Sequence, residues 1–212
     1  MKFKKIEING DPNIGLRGFA TDEYLLVGCE IPESELLKVK NTITTISQTE
    51  LAGIFAAGNG NGIVLPKIVE KDEIEMIKRE LGINVLVIDT KETAIGNLIL
   101  CNDHGAIISP LLKEKRKEIE DALGCEAIAC TVAGLSIVGS CGVATNKGCL
   151  LHRDASEEEA ELIEDVLKVR VDIGSFGGSP FVKSGIIVNS RALLVGEIAT
   201  GPELERMFEV FE

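Results

Sequence analysis

A short apolar run, a polar turn and a second apolar run recur five times along this chain of 212 residues. The turns are Asp22-Glu23-Tyr24, Gly60-Asn61-Gly62, Asp103-His104-Gly105, Asn146-Lys147-Gly148 and Ser190-Arg191-Ala192, and their last residues follow one another at spacings of 38, 43, 43 and 44. Nine residues before each of the first four stands a glycine, Gly15, Gly53, Gly96 and Gly139; the fifth unit breaks the series with Lys183. Self-similarity at such a period marks a solenoid, a propeller or a related array, because one supersecondary unit cannot bury its apolar face alone. The repeat fills nearly the whole chain. It predicts a single domain of units at about residues 9–48, 49–90, 91–133, 134–176 and 177–212, the last completed by residues 1–8.

The third unit shows the module most clearly. The runs at residues 97–101 and 106–109 flank Asn102-Asp103-His104-Gly105, a turn sequence in which Asn and Asp bond their own backbone and Gly accepts positive φ. Pro110 opens a helix, where its missing N–H costs nothing. Leu111, Lys115, Ile119, Ala122 and Leu123 keep one stripe at helical spacing and Gly124 ends it. Residues 126–132 are the third strand, so the order is strand, strand, helix, strand. Elsewhere Ile74, Ile77 and Leu81 mark the second helix, Ser156 with Glu159 forms a capping box for the fourth, and Leu204, Met207, Phe208 and Phe211 mark the fifth. Third strands are expected at residues 42–46, 84–88 and 170–173. The fifth unit lacks one, and the alternating segment at residues 4–8 is expected to supply it and close a ring, which removes exposed sheet edges.

Composition bounds the function. The net charge is −12, with 22 basic and 34 acidic residues, so the chain as a whole repels phosphate backbones and attracts basic partners. Free DNA is not an expected partner. No apolar run approaches the roughly 18 residues of a membrane span, and Met1-Lys2-Phe3-Lys4-Lys5 lacks the apolar segment of a signal peptide, so no membrane association and a cytoplasmic protein are expected. Six cysteines, mostly inside apolar runs, read as small buried hydrophobes. Cys149 with His152 and Cys125 with Cys130 are the closest approach to metal ligands. Neither pair has the second pair of a zinc signature, so no metal and no cofactor are expected. Lys113, Lys115, Arg116 and Lys117 form a basic helix face that pairing with Glu114 and Glu118 would neutralise. The Gly-rich residues 174–180 lack the Lys-Ser/Thr pair of a phosphate loop and read as an inter-unit linker.

Several segments carry a resemblance. Thr93-Ala94-Ile95-Gly96-Asn97-Leu98-Ile99-Leu100-Cys101-Asn102-Asp103, Val138-Gly139-Ser140, Thr145-Asn146-Lys147-Gly148-Cys149-Leu150, Val64-Leu65-Pro66-Lys67-Ile68-Val69 and Thr200-Gly201-Pro202-Glu203-Leu204 resemble the archaeal translation initiation factor 6 family, collinearly over residues 13–212. The resemblance is weakest in the first unit. It implies the pentein α/β-propeller, five pseudo-symmetric ββαβ units around a central axis. It also implies a monomeric anti-association factor that binds the large (50S) ribosomal subunit on its intersubunit face, keeps the small (30S) subunit away, and serves large-subunit biogenesis. In such a ring the five turns would share one rim and form a polar platform. The resemblance carries ribosome binding onto Asn102 first, with Tyr24, Asn61, Asp103, His104, Asn146, Lys147, Asn189 and Arg191. Asn102→Ala is expected to weaken binding with little effect on melting, and a basic ribosomal protein tail is expected to carry much of the contact, with ribosomal RNA alongside.

Two other readings stay open. Other penteins modify guanidino groups with a nucleophilic Cys near the C-terminus, whereas here no Cys follows Cys149, leaving Cys101 with His104 or Cys149 with His152 as substitutes. The third reading is a non-catalytic oligomeric or ligand-binding ring whose site is the central channel, lined by crowded glycines such as those of Gly139-Ser140-Cys141-Gly142.

Overall fold

A computed structural model describes residues 1–212. The strands are β1 (Lys2–Ile6), β2 (Gly18–Ala20), β3 (Tyr24–Val27), β4 (Lys40–Ile43), β5 (Ala57–Gly58), β6 (Gly62–Pro66), β7 (Asn84–Ile88), β8 (Ile99–Cys101), β9 (Gly105–Ile108), β10 (Glu126–Ala129), β11 (Gly142–Ala144), β12 (Gly148–His152), β13 (Arg170–Gly174), β14 (Ile186–Val188) and β15 (Ala192–Gly196). They form five three-stranded sheets. In four of them an antiparallel hairpin is followed by a strand that returns parallel to its second member, as β8, β9 and β10 do. The fifth has β14 and β15 as its hairpin, and β1 is its third strand, with Lys2 opposite Ala192 and Ile6 opposite Gly196. The start of the chain therefore completes the last unit, at residues 2–6 rather than 4–8.

A one-turn helix α1 (Ala52–Phe55) precedes β5; the crossovers are α2 (Lys71–Leu81), α3 (Arg116–Leu123) and α4 (Glu157–Leu167), and α5 (Gly201–Phe211) follows β15 as the last element. Unit one has only a 3-10 turn at Ser34–Leu37, and the helix after Pro110 runs as 3-10 over Pro110–Lys115 before becoming α3. Ser156 and Glu159 cap α4 reciprocally, and Gly124 ends α3 at φ 66°. The third strand of unit one lies at Lys40–Ile43, earlier than residues 42–46, and that of unit three stops at Ala129 because Val132 turns back in a bridge to Leu135.

Five apolar cores lie at the five junctions rather than inside the units. One joins Val64 and Ile88 of unit two to Ile108, Ile119 and Leu123 of unit three; another joins Ile187 and Leu194 of unit five to Ile14 and Leu25 of unit one. Each helix is thus wedged between its own sheet and its neighbour's, which makes a lone unit unable to shield its core.

Two sets of glycines permit this packing by close approach. A Cβ on Gly53, Gly96 or Gly139 would stand 2.0, 2.2 or 2.3 Å from the carbonyl oxygen of the preceding ring glycine, and one on Gly15 would stand 1.9 Å from that of Lys183. These residues encircle the axis, in the turn before each first strand. The second set closes the hairpin turns: a Cβ on Gly62, Gly105 or Gly148 would meet the carbonyl of Ala122, Val166 or Val210, near the end of the next unit's helix. Gly105 therefore does not serve positive φ, as expected from its turn sequence; its φ is ordinary and the helix backbone takes the space.

Polar clasps tie the junctions as well. Glu73 accepts from the Thr45 hydroxyl and from the Ser47 and Gln48 amides, gripping the last turn of unit one from unit two. Glu159 grips Thr131, Ala133 and Gly134 in the same way, and Glu203 grips Ser175, Gly177 and Gly178. The segment at residues 174–180 is accordingly an inter-unit turn, bridged from Phe176 to Ser179.

Candidate functional site

The five hairpin turns meet at one end of the axis, where a cavity of about 20 Å³ is lined from all five units, by Asp22, Asn59, Asp103, Asn146 and Asn189 among others. Each turn has three tiers, set by distance from the strand that follows it.

The deepest tier is Thr21, Asn59, Asn102, Thr145 and Asn189. Asn102 Oδ1 accepts from the His104 and Gly105 amides at 3.0 and 3.1 Å, while its Nδ2 donates across the junction to the Thr145 and Leu167 carbonyls at 3.0 and 2.8 Å. Asn59 and Asn189 repeat this pattern toward Asn102 with Leu123 and toward Thr21 with Leu37. The three asparagines are 1, 4 and 1 % exposed in chain order. Asn102 and Asn189 therefore lie beneath the platform with their hydrogen-bonding capacity filled, which corrects their expected place on it. Asn102→Ala would accordingly lower stability, contrary to the expectation of unchanged melting. Tyr24 is corrected likewise: it is 1 % exposed, packs edge-on to Phe19, and donates its hydroxyl to the Gly62 carbonyl at 3.4 Å, with burial raising its pKa well above the ordinary value.

The middle tier is a half-buried circuit. The Gly60 amide donates to Asp103 Oδ1 at 2.7 Å, and the Asp103 amide donates to Asn146 Oδ1 at 3.0 Å. Asn146 Nδ2 is shared between Asp103 and Asp22, at 2.6 and 2.9 Å, and Asp22 also accepts from the Ser190 amide and hydroxyl. Asp103 and Asn146 thus bind other turns first.

The outer tier is Glu23, Asn61, His104, Lys147 and Arg191, one equivalent tip from each unit, and all five are exposed. Arg191 leans on the Asp22 carbonyl at 2.6 Å and Asn61 donates to the Leu123 carbonyl at 3.2 Å, whereas no ion pair occupies Lys147 or His104. Glu23, expected on the platform with its turn but not among the carried-over binding residues, stands in the same register as His104 and Lys147. With Lys147 and Arg191 against Glu23, this tier is net basic on a chain of net charge −12.

The other expectations resolve locally. The basic helix face is paired, with Lys115 to Glu118 at 2.8 Å, Arg116 to Glu120 at 2.9 Å and Lys117 to Asp121 at 2.7 Å, rather than with Glu114. The Cys101 thiol donates to the Gly58 carbonyl at 3.3 Å and burial raises its pKa far above the thiol range, while His104 stands exposed at the turn tip. Cys149 is raised likewise by burial, and its position three residues before His152 on β12 puts the two side chains on opposite sheet faces. His152 instead packs edge-on to Phe181 and accepts from the Asp154 amide at 3.2 Å. Neither pair is assembled for thiolate attack, which needs an ionised sulfur beside its base. No helix is long and apolar enough to cross a membrane.

Comparison with known proteins agrees with this architecture. A translation initiation factor 6 of Methanocaldococcus jannaschii is 41 % identical over 209 residues, covering 92 % of each chain. That of Pyrococcus abyssi is 39 % identical over 222 residues, covering 99 % of this chain and 98 % of its own. That of Staphylothermus marinus is 35 % identical over 218 residues, covering 98 % and 96 %. The model of the eIF-6 family matches residues 3–210, and the five-unit α/β ring is the pentein arrangement; the chain belongs to the eIF-6 family.

Proposed function

We propose that this protein is a translation initiation factor that binds the large ribosomal subunit through the rim of five turns and sterically blocks the small subunit, with a role in large-subunit biogenesis. The observation that carries this reading is the outer tier: five equivalent, exposed tips displayed on one side of a scaffold tied at every junction, in a chain of the eIF-6 family. Rigid presentation lets binding proceed without ordering loops, which would otherwise cost affinity. Glu23, Asn61, His104, Lys147 and Arg191 make the direct contacts; Asp103 and Asn146 hold the tips in register, and Asn102 and Asn189 support them from below. Lys147 and Arg191 suit acidic or phosphate groups, and Glu23 suits a basic protein segment.

The test is co-sedimentation with purified large subunits, paired with a subunit-joining assay. Wild-type protein should pellet with large subunits and suppress joining. Lys147→Glu combined with Arg191→Glu should weaken pelleting about tenfold or more, as expected when two charged contacts become repulsive. Unchanged pelleting by that variant would remove the rim from the interface.

A further inference from the structure

The passage along the axis is divided. Lys183 holds the ring position that glycine holds in the other four units, and its Nζ donates to the carbonyl of Gly96. Lys183 belongs to unit five and Gly96 to unit three, which are not neighbours in the ring, so the side chain crosses the axis as a bar. On the side toward the turns lies a cavity of about 60 Å³ walled by the first strands of all five units, including Cys101. Beyond the bar, on the side away from the turns, lies a chamber of about 190 Å³, and Lys183 borders both.

The outer chamber has two kinds of wall. Leu16, Ile54, Ile137 and Phe181 supply apolar surface; Asn97 and Ser140 supply an amide and a hydroxyl. A mostly apolar hollow with a few convergent polar groups is the usual form of a small-molecule site. The amine belongs to the bar between the two cavities and has one protein partner, the Gly96 carbonyl; no carboxylate acts on it, and its one titratable neighbour is the Cys101 thiol of the inner cavity. Burial lowers its pKa to about 8, so it is still mostly charged at neutral pH, without a counter-ion. Enclosed ammonium groups are costly unless paired. A dianion would leave one charge uncompensated in a hollow with a single cation, and a neutral ligand would leave the cation unpaired.

We propose that the outer chamber binds a compact organic monocarboxylate, its charged head against the Lys183 ammonium and its apolar body against Leu16, Ile54, Ile137 and Phe181. The chamber lies at the opposite end of the axis from the turns, so this site stands independently of the rim.

The experiment is an NMR titration of the isotope-labelled protein near neutral pH with butyrate and with benzoate, using butyramide and benzamide as uncharged counterparts. Butyrate and benzoate should give saturable shifts at the backbone N–H signals of Leu16, Ile54 and Ser140, and butyramide and benzamide should give none. Lys183→Met, which keeps the stem, should weaken the carboxylates about tenfold or more, the scale of one lost charge-assisted contact. Ile137→Trp, which fills the chamber and leaves the amine intact, should also abolish the shifts. Absence of saturable shifts, equal binding of benzamide and benzoate, or unweakened binding by folded Lys183→Met would each overturn the proposal.

Discussion

Asn59 and Asn102 hold the same place in their units, 43 residues apart, and Nδ2 of the first donates to the main-chain carbonyl of the second at 3.0 Å. Each of these side chains closes its own turn through Oδ1 and reaches the next unit through Nδ2. Thr21 and Thr145 close their turns through a hydroxyl but have no amide to send across. The junctions they leave without a staple, one to two and four to five, are those where Glu73 and Glu203 grip from the other side. The two devices together cover the whole ring.

Replacing Asn59 or Asn102 with Ala should therefore destabilise the fold by about 2–4 kcal/mol, since several buried backbone groups lose partners at once. Asn→Asp at the same positions keeps the turn's acceptor but sets a buried carboxylate against two main-chain carbonyls, so near neutrality it should also destabilise the fold. Urea unfolding measures both; a loss below about 0.5 kcal/mol for Asn102→Ala would refute the staple, because surface changes stay within that range.

Glu203 predicts a definite acid dependence. Burial would raise its pKa, but hydrogen bonds from the Gly178 and Thr200 amides and from the Ser175 and Thr200 hydroxyls outweigh this and lower it from 4.5 to about 2. The native pKa is the lower one, so the clasp's stabilisation is fully present above about 4.5 and fades as the pH falls toward about 2. Chemical denaturation of wild type and Glu203→Gln should differ by about 2 kcal/mol near neutrality, the scale of several hydrogen bonds to a charged group, and converge across that window.

Lys183 has the opposite sign. Its pKa falls from 10.5 to about 8 because the amine is enclosed, so holding it charged costs stability in full below about 8, and the cost disappears as the pH rises to about 10.5. Without added ligand, Lys183→Met should be more stable than wild type near neutrality by about 2 kcal/mol, from linkage discounted for partial hydration of the stem. The gap should close at high pH. Equal melting temperatures at pH near 7 would show that the amine is not enclosed.

Gly96→Ala tests the axial crowding. Its Cβ would fall 2.2 Å from the Gly53 carbonyl oxygen and 2.6 Å from that of Ala56, both main chain and unable to rotate away. A loss of about 3 kcal/mol or more is expected, at the upper end of overpacking costs. Gly134→Ala, with open space around it but φ +71°, should cost only about 1 kcal/mol from backbone strain.

The period and the closure were legible because both are covalent facts of spacing: apolar runs, turn residues and an alternating segment, read at residues 4–8 and formed at Lys2–Ile6, left over for a unit that lacked a strand. The placement of side chains within a turn was not. Asn102 and Asn61 read alike as turn asparagines, yet two positions within the turn decide burial: Asn102 stands three residues before its marker Gly105, while Asn61 stands one residue before Gly62 and is exposed. The reason lies in partners from other units, the Thr145 and Leu167 carbonyls, whose proximity no local pattern encodes. The glycines misled in the same way. A turn glycine suggests its own dihedral angles, whereas Gly105 answers to a helix some sixty residues later, at Val166. Glu159 was readable as a cap but not as a clasp, since its second duty is to residues 131–134.

The pairing of β1 with β15 has a consequence for synthesis. The fifth sheet cannot form until Ala192–Gly196 has left the ribosome, so β1 must wait unpaired while four units assemble behind it. Nascent protein would pass through an arc with one raw margin, vulnerable to association with other copies, and the latching of that margin should be the slowest event in maturation, as distant pairings generally are.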